Sequence, residues 1–193
     1  MVIAHHAIFT TCGFWLPNDP RGSWSDFVRS WDLLAYGPAT KTNVRHSVAH
    51  TSHDRQRRLA ARRALKYEPV LFTGIQARSV SIGFRQAIEE SQCKIRACST
   101  LPAHVHMVIE RHPTPAERMI GHLKARATQQ LVEDGLHPFA RYRAPNGRFP
   151  SVWTHRAWKV FLSTPQDVAR AIRYVEDNPP KDGKSAQRWS FVT

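Results

Sequence analysis

The sequence predicts an α+β fold, a ferredoxin-like β-α-β-β-α-β sheet with an extra helix at the C-terminus. Three observations lead there. Short β-branched and aromatic runs alternate with amphipathic stretches in the order strand, helix, strand, strand, helix, strand, helix. The first six of these follow the split β-α-β pattern. The 193 residues are 41% hydrophobic and 22% charged, a globular composition with enough chain to bury a core.

Residues 7–12 (AIFTTC) read as the first strand. Pro17-Asn18-Asp19-Pro20-Arg21-Gly22 can only be a loop. The pattern then stays irregular to about residue 52. The stretch at about 17–66 is taken as a long insertion in one domain spanning 1–193. Within it, residues 53–66 form a strongly basic helix, either a solvated face or a phosphate-contacting one. Residues 79–90 make an amphipathic helix with Val80, Phe84, Ala87 and Ile88 on one side. Strands follow at 94–99 and 104–110. Thr114-Pro115-Ala116-Glu117 reads as a capping box with Pro at the first helical position. It opens a helix to about residue 133 that buries Ile120, Leu123, Ala127 and Leu131 and leaves Arg118, Lys124 and Arg126 outside. Residues 152–162 read as the last strand. Thr164-Pro165-Gln166-Asp167 opens a final helix expected to end before Pro179.

Lys plus Arg number 28 against 15 Asp plus Glu, a formal net charge of +13. Such a charge favours a polyanionic partner through counterion release, without separating DNA, RNA and an anionic membrane surface. The three cysteines, Cys12, Cys93 and Cys98, are odd in number and form no C-x-x-C. That argues against a disulfide framework or zinc ribbon and fits a reducing compartment. No apolar run reaches membrane-spanning length and no signal-peptide pattern opens the chain, so a cytoplasmic protein without membrane contact is expected.

The chemistry concentrates in two places. In His104-Val105-His106 both imidazoles leave one face of a strand, about 6–7 Å apart at Cα, and can converge on one metal ion. Val105, Met107 and Ile109 leave the apolar face. In the final helix Val168, Ile172 and Val175 form the buried stripe. Tyr174 lies about 200° around from Ile172, at about 100° per residue, in line with Arg170 and Asn178. A rim tyrosine would sit there too. Asn178 suits a helix end as well as a metal ligand.

These residues carry a resemblance. PAHVHMVI at 102–109 resembles the histidine–hydrophobe–histidine (HUH) motif, and YVEDNP at 174–179 resembles the Y-x-x-x-N-P segment of the REP-associated tyrosine transposases, single-tyrosine HUH transposases of bacterial insertion sequences. GFWLPNDPRG at 13–22, HLKARAT at 122–128 and VWTHRAW at 152–158 are similar to further family segments, in the same order. Ala103 stands where the family has Asn, and Pro180 where it has a hydrophobe.

The resemblance implies a metal-dependent endonuclease and strand transferase acting on single-stranded or hairpin DNA. Tyr174 would attack phosphorus to give a 5′-phosphotyrosine. His104, His106 and Asn178 would hold a divalent ion; mixed nitrogen and oxygen donors suit Mn²⁺, and abundance favours Mg²⁺. Arg170 is a candidate to stabilise the phenolate, and His155 a candidate base. Arg55, Arg57, Arg58, Arg62, Arg63, Lys124 and Arg126 would grip phosphates, while Trp15, Trp24 and Trp31 would stack bases or pack the insertion.

Other readings remain. One is a non-catalytic or domesticated DNA- or RNA-binding regulator of the same fold, for which all four site residues would be superfluous. A relaxase-type HUH nuclease usually places its tyrosine elsewhere, often upstream of the pair. A zinc hydrolase would want another clustered ligand, which Met107, Val108 and Ile109 do not supply. The recognised DNA sequence, and whether the protein acts as a monomer or a homodimer exchanging the tyrosine helix, are not encoded legibly.

Overall fold

The structure, a computed structural model, describes residues 1–19, 31–37 and 54–193. It divides into two compact units, one of residues Met1–Thr11 and Leu71–Thr193, the other of Cys12–Val70. The first holds the sheet. Strands β1 (Ala4–Thr10), β2 (Ile95–Thr100), β3 (His104–Glu110) and β4 (Trp158–Leu162) form one antiparallel sheet in the order β2-β3-β1-β4. Helices α3 (Gly74–Ser91), α4 (Ala116–Glu133) and α5 (Pro165–Lys181) complete this unit. The second unit contains α1 (Trp31–Leu34) and α2 (Arg55–Arg63). The strand order and connections are those of the split β-α-β sheet the sequence predicts.

Alternation along the strands divides the side chains between two layers. On one face Phe9 meets Phe84 of α3 with ring centroids 5.9 Å apart, and Val105, Met107 and Ile109 are fully enclosed. Helices α3 and α4 pack on each other here. They approach closely at Gly83, where a Cβ would come within 2.5 Å of the Arg126 carbonyl oxygen and 2.6 Å of the Ala127 Cα. Backbone cannot retreat as a flexible side chain can. Gly83→Ala is therefore expected to destabilise the fold by about 1–3 kcal/mol through overpacking; a urea midpoint equal to wild type would show that the helices separate freely.

On the other face, α5 lies across the sheet. Ala171 and Val175 join Ala4, Ala97, Val108 and Leu162 in one buried cluster, flanked by Val168 and Ile172. The stripe read from the sequence is thus the buried one.

Several boundaries differ from expectation. Strand β1 begins at Ala4, not residue 7, because His5 and His6 pair with β3 and β4 on either side. The predicted cap of α4 is absent. Pro115 is the N-cap residue rather than the first helical one and makes no side-chain cap bond, while the Thr114 N–H donates to His112 Nδ1. Strand β4 starts at Trp158; upstream only Trp153 bridges Thr11. Helix α5 does open on the predicted box, with Thr164 and Asp167 capping each other and Pro165 following. It does not stop before Pro179 but runs to Lys181. Each proline removes one i→i−4 bond, yet both fit helical φ. Pro179 is buried one turn beyond Val175, so packing of the stripe outweighs the local preference. Asn178 is consequently inside the last turn and is not the helix-ending residue. Among the basic stretch, α2 is shorter than predicted and is capped by Asp54, which accepts from the Arg57 N–H at 2.8 Å. Trp24 and the rest of 20–30 and 38–53 lie outside the described residues.

Candidate active site

Strand β3 carries His104 and His106 on the face that α5 covers. The strand alternates cleanly because the intervening Val105 and Met107 are taken up by the opposite layer. Across the ladder His104 is paired with Thr10 and His106 with Ile8. The two imidazoles stand 5.0 Å apart between ring centroids, at 78°. Helix α5 brings Tyr174 to them from above. Its ring centroid is 5.5 Å from that of His106, in an edge-on arrangement. Burial of Val175 next to it fixes the rotation of the helix. Tyr174 stays 48% exposed, far more than a core tyrosine, so its ring is accessible from solvent.

A third imidazole stands with them, from His6 on β1. Its Nε2 lies 3.0 Å from Nδ1 of His106, within hydrogen-bond distance, and its ring is 5.6 Å from Tyr174. The residue escaped the sequence reading because the first strand was begun at residue 7. Extending the strand by three residues, past two histidines that look like a polar flank, places 6, 8 and 10 on one face. Burial makes the imidazolium form costly at both buried histidines. His6 is pushed down to about 4 and His106 to about 2, the latter also by the neighbouring His104 and His6. Both are therefore neutral near pH 7, the state in which an imidazole has a lone pair to offer.

These shifts set a pH dependence of stability. The unfolded chain takes up protons near pH 6.5 that the folded chain refuses until lower pH. Stability is then held above about pH 6.5 and lost as pH falls toward 4. For His6 the expected loss by pH 5 is about 2 kcal/mol. Melting temperatures at pH 7.5, 6 and 5 should fall in that order, less steeply in His6→Gln; equal slopes would exclude His6 as a source.

Asn178 sits one turn beyond Tyr174, half-buried, and its side-chain Nδ2 is enclosed without a hydrogen-bond partner. Amide N and O are assigned rather than seen, so the amide has an unused polar end in a buried position. That is what a ligand-binding amide would show, and two imidazoles plus an amide oxygen are donors that fit a divalent cation chemically. Among the described residues, no three His, Cys, Asp or Glu side chains form a metal-holding group; His104, His106 and Asn178 are two imidazoles and an amide.

The cations fall differently from expectation. Arg170 is exposed and turned to Asp167, with Nη2 2.5 Å from Oδ1. The cation beside the nucleophile candidate is Lys181, whose Nζ is 5.8 Å from the Tyr174 ring centroid and 3.4 Å from Asp177 Oδ2. Lys181 was missed because the helix was ended too early. Lys124 is not outside. It is buried, donates to the carbonyls of Thr154 and Arg156 at 3.0 and 3.1 Å, and is pushed down to about 8 by burial. It pins the segment leading into β4 rather than meeting phosphate. Arg126 is committed to Glu90. His155 is exposed and precedes β4 rather than lying in it.

In the second unit, Arg55, Arg57, Arg62 and Arg63 are exposed on α2 and Arg58 is half-buried. Arg57 also donates to the Ala35 carbonyl at 3.1 Å. Trp31 is 85% exposed, and Trp15 packs edge-on against Phe14 at 4.7 Å.

The structure is similar to that of a REP-associated tyrosine transposase solved bound to a REP hairpin. The identity is 11% and the TM-score 0.49, with 95% of this chain and 70% of that chain covered. It is also similar to a transposase candidate from Deinococcus radiodurans R1, at 12% identity and a TM-score of 0.45, covering 92% of this chain and 91% of that one. No protein-family model matches the sequence, and no curated protein matches it.

The arrangement can do two things at once. A phenol open to solvent stands beside the imidazoles of His6 and His106, and a lysine ammonium lies near the phenol ring.

Proposed function

We propose that the protein cuts and rejoins single-stranded DNA, hairpin DNA in particular, through a covalent bond to Tyr174. One observation carries this reading: the exposed Tyr174 ring stands 5.5 Å from the buried, neutral His106, on the face His106 shares with His104. A structural tyrosine gains nothing from exposure beside a histidine cluster, whereas a nucleophile needs both access and charge stabilisation.

In this reading Tyr174 Oη attacks the scissile phosphorus in line. A bond forms between Oη and phosphorus as the phenol gives up its proton, the bond from phosphorus to the 3′-oxygen breaks, and that oxygen takes up a proton to leave as a 3′-hydroxyl. The 5′-phosphotyrosine keeps the energy of the ester, so an incoming 3′-hydroxyl can reverse the step and join strands. Lys181, with Nζ 5.8 Å from the Tyr174 ring centroid, places a positive charge on the same side of the helix as the nucleophile. His104, His106 and Asn178 are the residues that would hold a divalent ion, Mg²⁺ or Mn²⁺. Such an ion, when bound, would polarise the phosphate and offset its developing charge. The net charge of +13 supplies the long-range attraction for a polyanion. Arg55, Arg62 and Arg63, exposed on α2, are candidates to contact phosphates.

The test is an adduct assay. Protein incubated with a 5′- and 3′-labelled DNA hairpin carrying a single-stranded flank, plus Mn²⁺, should give a band that survives denaturing electrophoresis. Omission of the metal, or His106→Ala, should reduce adduct formation by at least about a hundredfold. Adduct formation by His106→Ala at the wild-type rate would remove the histidine from the chemistry. Tight binding with no adduct under any metal would instead favour a non-catalytic nucleic-acid-binding protein.

A further inference from the structure

We propose that His6 is a positioning residue that accepts the Nδ1–H of His106 and thereby leaves Nε2 as the lone pair that imidazole offers, a role that rests on the metal-binding reading of His106 above. The two atoms in question, His6 Nε2 and His106 Nδ1, are 3.0 Å apart, and both residues are buried. A neutral imidazole has one N–H and one lone pair. The contact therefore has two possible arrangements. Either His106 donates from Nδ1 and keeps a bare Nε2, or His6 donates from Nε2 and His106 carries its own proton on Nε2. In the second arrangement His106 has no accessible lone pair, because Nδ1 is covered by His6 and Nε2 is protonated. In the first it has one.

Both rings are buried, where an imidazolium would be costly to desolvate, so each is taken with a single N–H. A histidine that binds a cation ordinarily gives its other N–H to an acceptor, which fixes both tautomer and ring orientation. That acceptor is most often a carboxylate or a carbonyl. Here it is an imidazole. An imidazole acceptor does the same job without adding a buried negative charge, which would itself need pairing.

His6 is well held for this task. It occupies the central strand β1, with Val108 opposite on β3 and Val160 opposite on β4. Its ring also lies against Tyr174 at 5.6 Å, edge-on, so one side chain braces both the imidazole and the nucleophile candidate. The backbone ladder on both sides leaves the strand little freedom to shift, and the ring cannot swing away without breaking that packing.

The experiment is a long-range ¹H–¹⁵N correlation of the histidine rings in metal-free protein, for wild type, His6→Gln and His6→Phe, joined to titration with Mn²⁺ alone. Gln keeps an oxygen acceptor and Phe keeps the ring shape without one. Wild type and His6→Gln should show His106 as the Nδ1–H tautomer, and His6→Phe a mixture or the Nε2–H form. Mn²⁺ affinity should fall about tenfold in His6→Phe and largely recover in His6→Gln. Thermal melting at pH 7.5 checks that each variant is folded, and the wild-type tautomer decides the proposal if Phe does not fold. An Nε2–H tautomer at His106 in wild type would overturn the proposal. So would an unchanged tautomer in His6→Phe. Failure of the metal reading shows separately, as a wild-type Mn²⁺ affinity that His106→Ala leaves intact, because the tautomer measurement needs no metal.

Discussion

Tyr174→Phe should abolish the covalent DNA adduct while leaving the protein folded and able to bind DNA. The substitution removes one oxygen from a ring that is 48% exposed, so the burial of α5 is untouched. Surface changes of this size ordinarily move stability by no more than about 0.5 kcal/mol. The edge-on contacts with His6 and His106 use the ring and survive in Phe. The chemistry has no such tolerance, because phenylalanine offers no atom that can bond to phosphorus. Turnover should fall by at least about a thousandfold, with the equilibrium affinity for the hairpin within about threefold of wild type. Both quantities come from one set of labelled substrates, by denaturing gel and by native titration at matched salt. A persistent adduct in the variant would mean that another residue is the nucleophile. Tyr142, also exposed, would be the first to examine.

The second large effect is on stability, at Trp153. The sequence marks this residue only as part of a tryptophan-bearing strand. In the fold it is a buried hub outside the strand. Its ring meets Phe9 at 5.5 Å, Phe72 at 5.3 Å and Phe84 at 6.4 Å between centroids. Its Nε1–H donates to the Lys124 carbonyl and the Thr128 hydroxyl at 3.2 and 3.1 Å. Trp153→Ala would empty the space among three phenylalanines and leave those acceptors without their donor. Such truncations cost about 3–5 kcal/mol, against a total stability of about 5–15 kcal/mol for a domain. Trp153→Ala should therefore unfold at much lower urea, and Trp153→Phe should lose less because most of the volume remains. A midpoint within error of wild type would show that the aromatic cluster contributes little. Comparison with Tyr174→Phe is informative, since one variant should lose chemistry and keep the fold, and the other should lose the fold first.

The contrast between these two residues shows what a sequence pattern can and cannot convey. Tyr174 was separable from the stripe because helical phase is local; 100° per residue holds whatever the neighbours are. His104 and His106 were legible for the same kind of reason, since alternation along a strand is local geometry. Lys124 was not. The pattern places it outside with Arg118 and Arg126, and only the carbonyls of Thr154 and Arg156, distant in sequence, turn it inward. His6 was likewise hidden, because its significance depends on a partner one hundred positions away.

By itself, then, the sequence determined the element order, the phase of each amphipathic element, and hence the α+β sheet with Tyr174 and the histidine pair pointing away from their apolar stripes. These follow from short-range periodicity. The tertiary structure decided the rest. It brought His6 to His106, carried α5 through Pro179 and Pro180 to put Lys181 beside Tyr174, and withdrew Lys124 and Arg170 from the site. Such outcomes depend on which surfaces meet when strands separated by a hundred residues pair, and burial of an apolar stripe can override a local helix stop when the packing it gains exceeds the hydrogen bonds it forfeits.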